Sequence, residues 1–319
     1  MRPVSPPTAA QLEAAAVAVA RAVPPGPLLA SPSLLPAGTA GRGLLKVECL
    51  NAAGSFKLRG AVAALAALPR GTPVVAASAG NHGAGVAMAA AAAGAAATIV
   101  VSVRADPAKV ARLRAIGCEL VLHGETYEAA ERHAIALAER TGAAFVSPYN
   151  DPVVIAGQAT IGRELVAELG EDLTIVAPVG GGGLAAGVAL AAGRAVTVGA
   201  EAERSPAFTT ALAAGEQTAI EPGPTLADSL AGNLEPGTVT FPLIRDHVRA
   251  VVTVTEDEIA AAMRYLYAEH GIVAEGGAAV AVAALRSGRV PVRTAACVAL
   301  VTGRNIDPAR YATVIAPIR

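Results

Sequence analysis

The chain has 319 residues, 53% hydrophobic and 16% charged, with a formal net charge of −1. This excludes disorder, points to one large or two interleaved globular domains, and leaves no electrostatic case for nucleic acid or a membrane surface as partner. Cys49, Cys118 and Cys297 are odd in number and lack metal-ligand spacing, as in a reduced, cytoplasmic protein.

After a proline-punctuated lead-in, Thr8 is placed to cap a helix over residues 9 to about 23, which Pro24-Pro25-Gly26-Pro27 ends. Glu13 and Arg21 bracket too short an apolar run for a signal peptide. Residues 44–48 read as a strand, followed by NAAGSFKLRG (51–60). There Ser55 is a good N-cap, which puts Lys57 in the first turn of a helix. A cation is misplaced there against the helix dipole, which invites a chemical explanation for Lys57.

Strands and helices then alternate at βα spacing: strand 73–77, helix 81–93, strand 97–103, helix 107–116, strand 119–122, helix 125–140 and strand 143–146. The uncharged run 84–103 has the length of a bilayer crossing, but Gly94 divides it and its Ala and Gly content suits a buried helix and strand. Asp151-Pro152 opens a long helix to residue 169, and 174–177 is a strand. A glycine loop leads into a helix to about 192, and 196–201 is a strand. Residues 215–250 are Pro/Gly-punctuated and less regular. Thr255 and Glu258 form a capping box for a helix to about 270, 274–286 is helical, and 295–301 is a buried strand. Continuous apolar strands between amphipathic helices imply an α/β fold with parallel sheets covered on both faces.

Three further stretches can carry chemistry. Gly180-Gly181-Gly182-Gly183 lies between a strand and a helix, where backbone N–H groups can close on an anion, a phosphate being the expected guest. Gly180, Gly182 and Ala185 also satisfy G-x-G-x-x-A, with Glu201 where a ribose-binding acid belongs. An NAD(P)-dependent Rossmann oxidoreductase is therefore the rival of a different class. Against it, complete βα units precede the motif, no hydride-transfer substrate site is visible, and Lys57 is left unexplained. Ser78-Ala79-Gly80-Asn81-His82-Gly83 is an anion-accepting turn apt for an amino acid's α-carboxylate, and the Asn81 amide could donate to a phenolate-type oxygen. Val301-Thr302-Gly303-Arg304-Asn305 follows the last buried strand.

Ser55-Phe56-Lys57-Leu58-Arg59-Gly60-Ala61 resembles the lysine motif of the pyridoxal-phosphate-dependent threonine/serine dehydratase family, within the tryptophan-synthase-β-like fold type II enzymes. DPVVIAGQATIG (151–162), Thr225-Leu226-Ala227-Asp228 and Glu275-Gly276-Gly277-Ala278 extend the resemblance over roughly residues 40 to 305. It implies a two-domain fold with parallel-rich twisted sheets flanked by helices. Residues 1–69 and 156–319 would form the large cofactor domain, and 70–155 a small mobile domain that closes over the substrate.

The same resemblance implies pyridoxal 5'-phosphate bound covalently to Lys57, with Phe56 packing nearby. Its phosphate would sit on Gly180, Gly181, Gly182, Gly183 and Leu184, its 3′ oxygen near Asn81 and its pyridine nitrogen at Thr302. The substrate carboxylate would lie on Ser78, Ala79, Gly80, Asn81 and His82. A neutral hydroxyl at the pyridine nitrogen should leave it unprotonated, a weaker electron sink that favours prompt loss of a β leaving group. The implied reaction eliminates the β-hydroxyl of a threonine- or serine-like amino acid to give a 2-oxo acid and ammonia, with Lys57 as base. A β-substitution enzyme and an amino-acid racemase of the same fold stay open as alternatives, and the resemblance implies a homodimer.

Ala52, Ala53, Ser229 and Arg304 depart from the family's usual residues, which leaves the choice of amino acid open. Relatives that bind a divalent cation pair a glutamate at Glu201 with a later aspartate. Ala207 stands at that second position, so no metal is expected. Feedback-controlled dehydratases of the family carry a C-terminal regulatory domain, whereas this chain stops soon after Thr302, so a catabolic or specialised role is expected.

Overall fold

The computed structural model describes residues 4–316. In chain order the elements are α1 (Ala9–Ala22), β1 (Leu28–Ala30), β2 (Arg42–Val47), α2 (Lys57–Ala66), β3 (Val74–Ala77), α3 (Asn81–Ala93) and β4 (Ala97–Val101). There follow α4 (Pro107–Ile116), β5 (Glu119–Leu122), α5 (Tyr127–Thr141), β6 (Ala144–Phe145), α6 (Pro152–Leu169), β7 (Leu173–Pro178) and α7 (Gly183–Ala191). The last are β8 (Val196–Ala202), α8 (Ala207–Ala214), α9 (Thr240–His247), β9 (Ala250–Val254), α10 (Glu256–His270), α11 (Gly276–Arg286), β10 (Ala296–Val301) and α12 (Pro308–Ile315).

The strands form two sheets, one in the order β1-β2-β10-β7-β8-β9 and the other in the order β5-β4-β3-β6. Every pairing is parallel except β1 on β2, an antiparallel edge in which Leu29 faces Leu45. Fully buried strands such as β7 and β10 have apolar residues on both faces because helices cover both. One core packs α10 and α11 on the larger sheet, and a second packs α6 and α7 on its other face. A third joins α1, α2 and α3 to the smaller sheet. Among the described residues no helix is long and apolar enough to cross a membrane.

The caps expected at Thr8, Asp151 and Thr255 form, each side chain accepting from an amide of the first turn. The cap expected at Ser55 does not. Phe56 holds the N-cap position with no side-chain hydrogen bond, and Ser55 is instead bridged to Gly303, antiparallel, its buried hydroxyl without a partner. Tertiary pairing has overridden the local signal. Five elements, β1, α8, α9, β9 and α12, were not anticipated by the sequence reading.

α6 sits between α2 and α7, and at both crossings backbone meets backbone. A Cβ on Gly157 would lie 2.6 Å from Gly60 Cα, one on Gly187 2.5 Å from the Ile155 carbonyl oxygen, and one on Gly162 2.6 Å from that of Val188. A buried ion network pins the same region. Arg59 donates to both Glu48 oxygens, at 2.7 and 2.9 Å, and to Glu164, which Lys46 also reaches at 2.7 Å. Breaking such a network by removing one partner strands a buried charge.

Candidate active site

Between the two sheets lies a cleft of about 700 Å³. Its floor is built where β10 ends. The Phe56 N–H donates to the Thr302 carbonyl at 2.9 Å and the Arg304 N–H to the Gly54 carbonyl at 3.0 Å, so the segment before Lys57 is laced to the segment after the strand. Lys57, the first residue of α2, is thereby aimed into the cleft. Its Nζ donates to the Pro148 carbonyl at 2.8 Å and lies 5.2 Å from the centre of the Phe56 ring. Among the described residues no acid pairs with it, and burial pushes the amine down to about 8.

The glycine loop faces the same space. Gly182 is left-handed (φ 85°), a conformation that suits glycine alone, and α7 starts from it with no side-chain cap. α3 likewise starts from Gly80 without a side-chain cap. The amides of both first turns therefore remain available to anions brought in from outside. The would-be Cβ of Gly182 points away from the cleft, 2.6 Å from Phe208 and 2.8 Å from Ile244. Those of Gly181 and Gly183 point at Tyr149, which covers the loop.

In the turn of residues 78–83, Ser78 Oγ accepts from the Gly80 N–H at 3.1 Å. His82 is buried and bonds the Val146 carbonyl through Nε2 at 2.9 Å, so that nitrogen carries the proton and Nδ1 has no partner. Burial first, then the Lys57 charge, pushes its pKa down to about 3, so the ring is neutral. The Asn81 amide is fixed at both ends: Nδ2 donates to Glu275 Oε1 at 2.7 Å, and Oδ1 accepts from Asn305 at 2.6 Å. Burial, with Asp228 adding to it, pushes Glu275 up to about 7.

Every residue proposed from sequence as a site residue, from Phe56 and Lys57 through 78–82 and 180–184 to Thr302, lines this one cleft. Sequence reasoning gave no role to Glu275, Asn305 or Tyr149. Glu275 was visible only as a glutamate ahead of two glycines, and its partner Asn81 is 194 residues distant. Glu201 accepts from the Phe208 and Thr209 amides at the start of α8, and among the described residues no His/Cys/Asp/Glu group could hold a metal ion.

A family profile described as pyridoxal-phosphate dependent enzyme matches residues 19–303. The chain belongs to this family. It is 41% identical over 286 residues to the L-threonine ammonia-lyase of Thermotoga maritima, covering 88% of this chain and 71% of that one. The crystal structure of the T.th. threonine deaminase superposes with a TM-score of 0.85 at 38% identity, covering 94% and 99% of the two chains. Maize serine racemase superposes with a TM-score of 0.90 at 30% identity, covering 97% of each. The dinucleotide reading of the glycine loop gives way to this assignment.

As a pyridoxal-phosphate-dependent enzyme the chain needs an amine to hold the aldehyde, a cradle for a phosphate and a polar contact for the ring nitrogen. Its cleft offers Lys57, the uncapped start of α7 and Thr302. The residues present fit the cofactor.

Proposed function

We propose that the protein is a β-eliminating ammonia-lyase acting on threonine and serine, each giving a 2-oxo acid and ammonia. The observation that carries the reading is Lys57: a buried amine with no acid partner, held at about 8, opening into the cleft that the glycine loop and the carboxylate turn share. The identities to threonine ammonia-lyase and threonine deaminase support the substrate class.

When bound, pyridoxal phosphate supplies the electron sink that makes an amino acid's α-proton removable. Lys57 would hold the cofactor and then, freed and with a pKa lowered toward neutrality by burial, take the α-proton in its deprotonated form. Phe56 flanks the amine. The amides of Gly181, Gly182, Gly183 and Leu184 would hold the phosphate, with Tyr149 shielding them from water. Thr302 would meet the pyridine nitrogen, and Asn81, oriented by Glu275 and Asn305, the 3′ oxygen. The amides of Ala79, Asn81 and His82 would bind the substrate carboxylate, that of Gly80 being held by the Ser78 hydroxyl oxygen. His82 acts there through its backbone, its ring being held through Nε2 by the Val146 carbonyl.

The smaller sheet, all of whose strands lie within 74–145, supports a mobile unit over 70–155. The family resemblance supports a homodimer, and three cysteines without a disulfide support the cytoplasm. The test is the visible spectrum of the purified protein with assays of ammonia and 2-oxo acid. A cofactor band with release from threonine and serine supports the reading. A colourless protein, or a coloured one that releases neither product, ends it.

Likeness to a serine racemase raises a second reading. Racemisation needs a second acid/base on the face opposite the lysine. Ala79, immediately before Gly80, offers none, and the Ser78 hydroxyl is engaged by the Gly80 N–H. Elimination with little racemisation is expected, and Ala79→Ser should introduce D-amino acid while ammonia release persists. Chiral analysis of residual substrate decides, and substantial D-isomer from the unmutated enzyme refutes the argument.

A further inference from the structure

Two guanidinium groups in the cleft have no acid partner. Arg112 reaches from α4 to the segment before Lys57 and donates from Nη2 to the Ala53 carbonyl at 2.8 Å. Arg304 is anchored by its backbone N–H to the Gly54 carbonyl, which leaves its side chain exposed along the cleft wall. Among the described residues neither forms an ion pair. Burial holds Arg112 below the usual arginine range, Arg304 adding to this and Glu275 opposing it.

Of the five acids that line the cleft, all but the exposed Glu128 of α5 are committed elsewhere. Asp228 serves both Lys109 and Arg310, at 2.9 and 3.2 Å, and Glu275 is bonded to Asn81 and Ser229. Asp106 and Asp307 are turned to the helix starts they cap. Guanidinium forks match carboxylate and phosphate oxygens in pairs, so two of them left open in one cleft are a receptor for a ligand's oxyanion.

We infer that Arg112 and Arg304 form a second anion subsite, and that the preferred substrate bears an oxyanion at its β-carbon. That group is either a carboxylate beside the hydroxyl or a phosphate ester in its place. The inference rests on the β-elimination reading and narrows its substrate. In either case the Cα–H and Cβ–O bonds break and the carbon–carbon double bond forms. Hydrolysis then releases ammonia, hydroxide or phosphate being the leaving group, and water is the sole co-reactant.

The experiment compares kcat/KM of the holoenzyme for serine, threonine, 3-hydroxyaspartate and O-phosphoserine, the two acidic compounds separating the carboxylate from the phosphate source. One acidic substrate should exceed serine by about tenfold or more, as one good charged contact provides. Arg304→Gly and Arg112→Gln should each lower the acidic-to-neutral ratio about thirtyfold, the loss of a hydrogen bond to a charged group. Calorimetric titration with succinate should show binding that weakens about tenfold in Arg304→Gly. That variant changes an exposed side chain, and retained cofactor absorbance verifies its fold. Ammonia from serine and threonine with no acidic preference, or variants that slow all substrates alike, overturns the subsite and leaves the elimination reading standing. No ammonia from any substrate overturns both.

Discussion

α6 and α7 pack against each other, yet they begin in opposite ways. At α6, Asp151 accepts from the amides of Val153 and Val154 at 2.8 and 3.2 Å, and Pro152 removes a donor that would have needed a partner. At α7 a glycine stands where the cap should be. The contrast extends across the molecule. α1, α4, α5, α10 and α12 are capped by Thr or Asp side chains, and Glu201 and Asn150 reach in from elsewhere to serve α8 and α9. α2, α3, α7 and α11 have no side-chain cap, and all four start in the cleft. At α2 the carbonyls of Ser55 and Phe56 serve Leu58 and Arg59, and at α11 that of Glu275 serves Ala278. Donors left unsatisfied at a helix start cost stability, so the starts of α3 and α7, converging on one space, mark where the chain relies on ligand oxygens to complete its hydrogen bonding.

The largest effect should come from the uncapped start of α2. Lys57→Ala should lower turnover on the order of 10³-fold or more and remove the cofactor's visible band. With both proteins measured free of cofactor, Tm should not fall, because the charged form of a buried amine with a depressed pKa is not favoured by folding. Absorbance, ammonia release and calorimetry read all three, and a substantial loss of Tm would make the lysine structural.

Gly181→Asp should come next. It introduces a charge, on a side chain directed at Tyr149, beside the expected phosphate, at a cost of several kcal/mol, and the protein should purify without cofactor. Both Gly181→Asp and Gly182→Asp crowd a neighbour, the Tyr149 ring in the first and the apolar wall of Phe208 and Ile244 in the second, so a Tm of the cofactor-free variant matching that of cofactor-free wild type is the control that separates lost phosphate binding from a damaged fold. Full cofactor occupancy in Gly181→Asp would place the phosphate elsewhere.

Acid should attack the cleft through His82. Its folded pKa of about 3 lies below the unfolded value of 6.5, so below pH 6.5 the unfolded chain takes up the proton first. This contribution is full above pH 6.5 and falls by up to about 1.4 kcal/mol per pH unit toward pH 3. His82→Gln should flatten that part of the stability–pH curve, and an unchanged slope would contradict the assignment. The smallest effect belongs to the capped side. Asp151→Ala should cost about 1 kcal/mol in denaturant melts and leave turnover per bound cofactor unaltered. A change in kcat would mean that the capped and uncapped starts are not functionally distinct.

Much of this was legible in local signals. Helix α4 and strand β5 follow the expected bounds because Asp106-Pro107 and flanking glycines punctuate them, and the Lys57, carboxylate-turn and glycine-loop motifs do meet in one place. What escaped depends on distance along the chain. Ser55 looks like a cap until Gly303 arrives beside it, and Glu275 has no evident task until Asn81 reaches it. The N-cap of α9 is Val239, a residue with no capping side chain, its amide served by Asn150 from a remote turn. A reading of neighbours cannot supply such partners.

The glycine-lined crossings of α6 with α2 and α7 also act as a gauge. Helices separated by side chains can drift by tenths of an ångström as residues are exchanged or as packing loosens on warming. Where main chain rests on main chain, at Gly60 on Gly157 and at Gly187 on Ile155, there is no side chain left to trade or to soften. The span from Lys57 to the glycine loop is therefore ruled off by three backbones laid edge to edge. Enlarging or reshaping this cleft must be done at its walls, because its length is not adjustable.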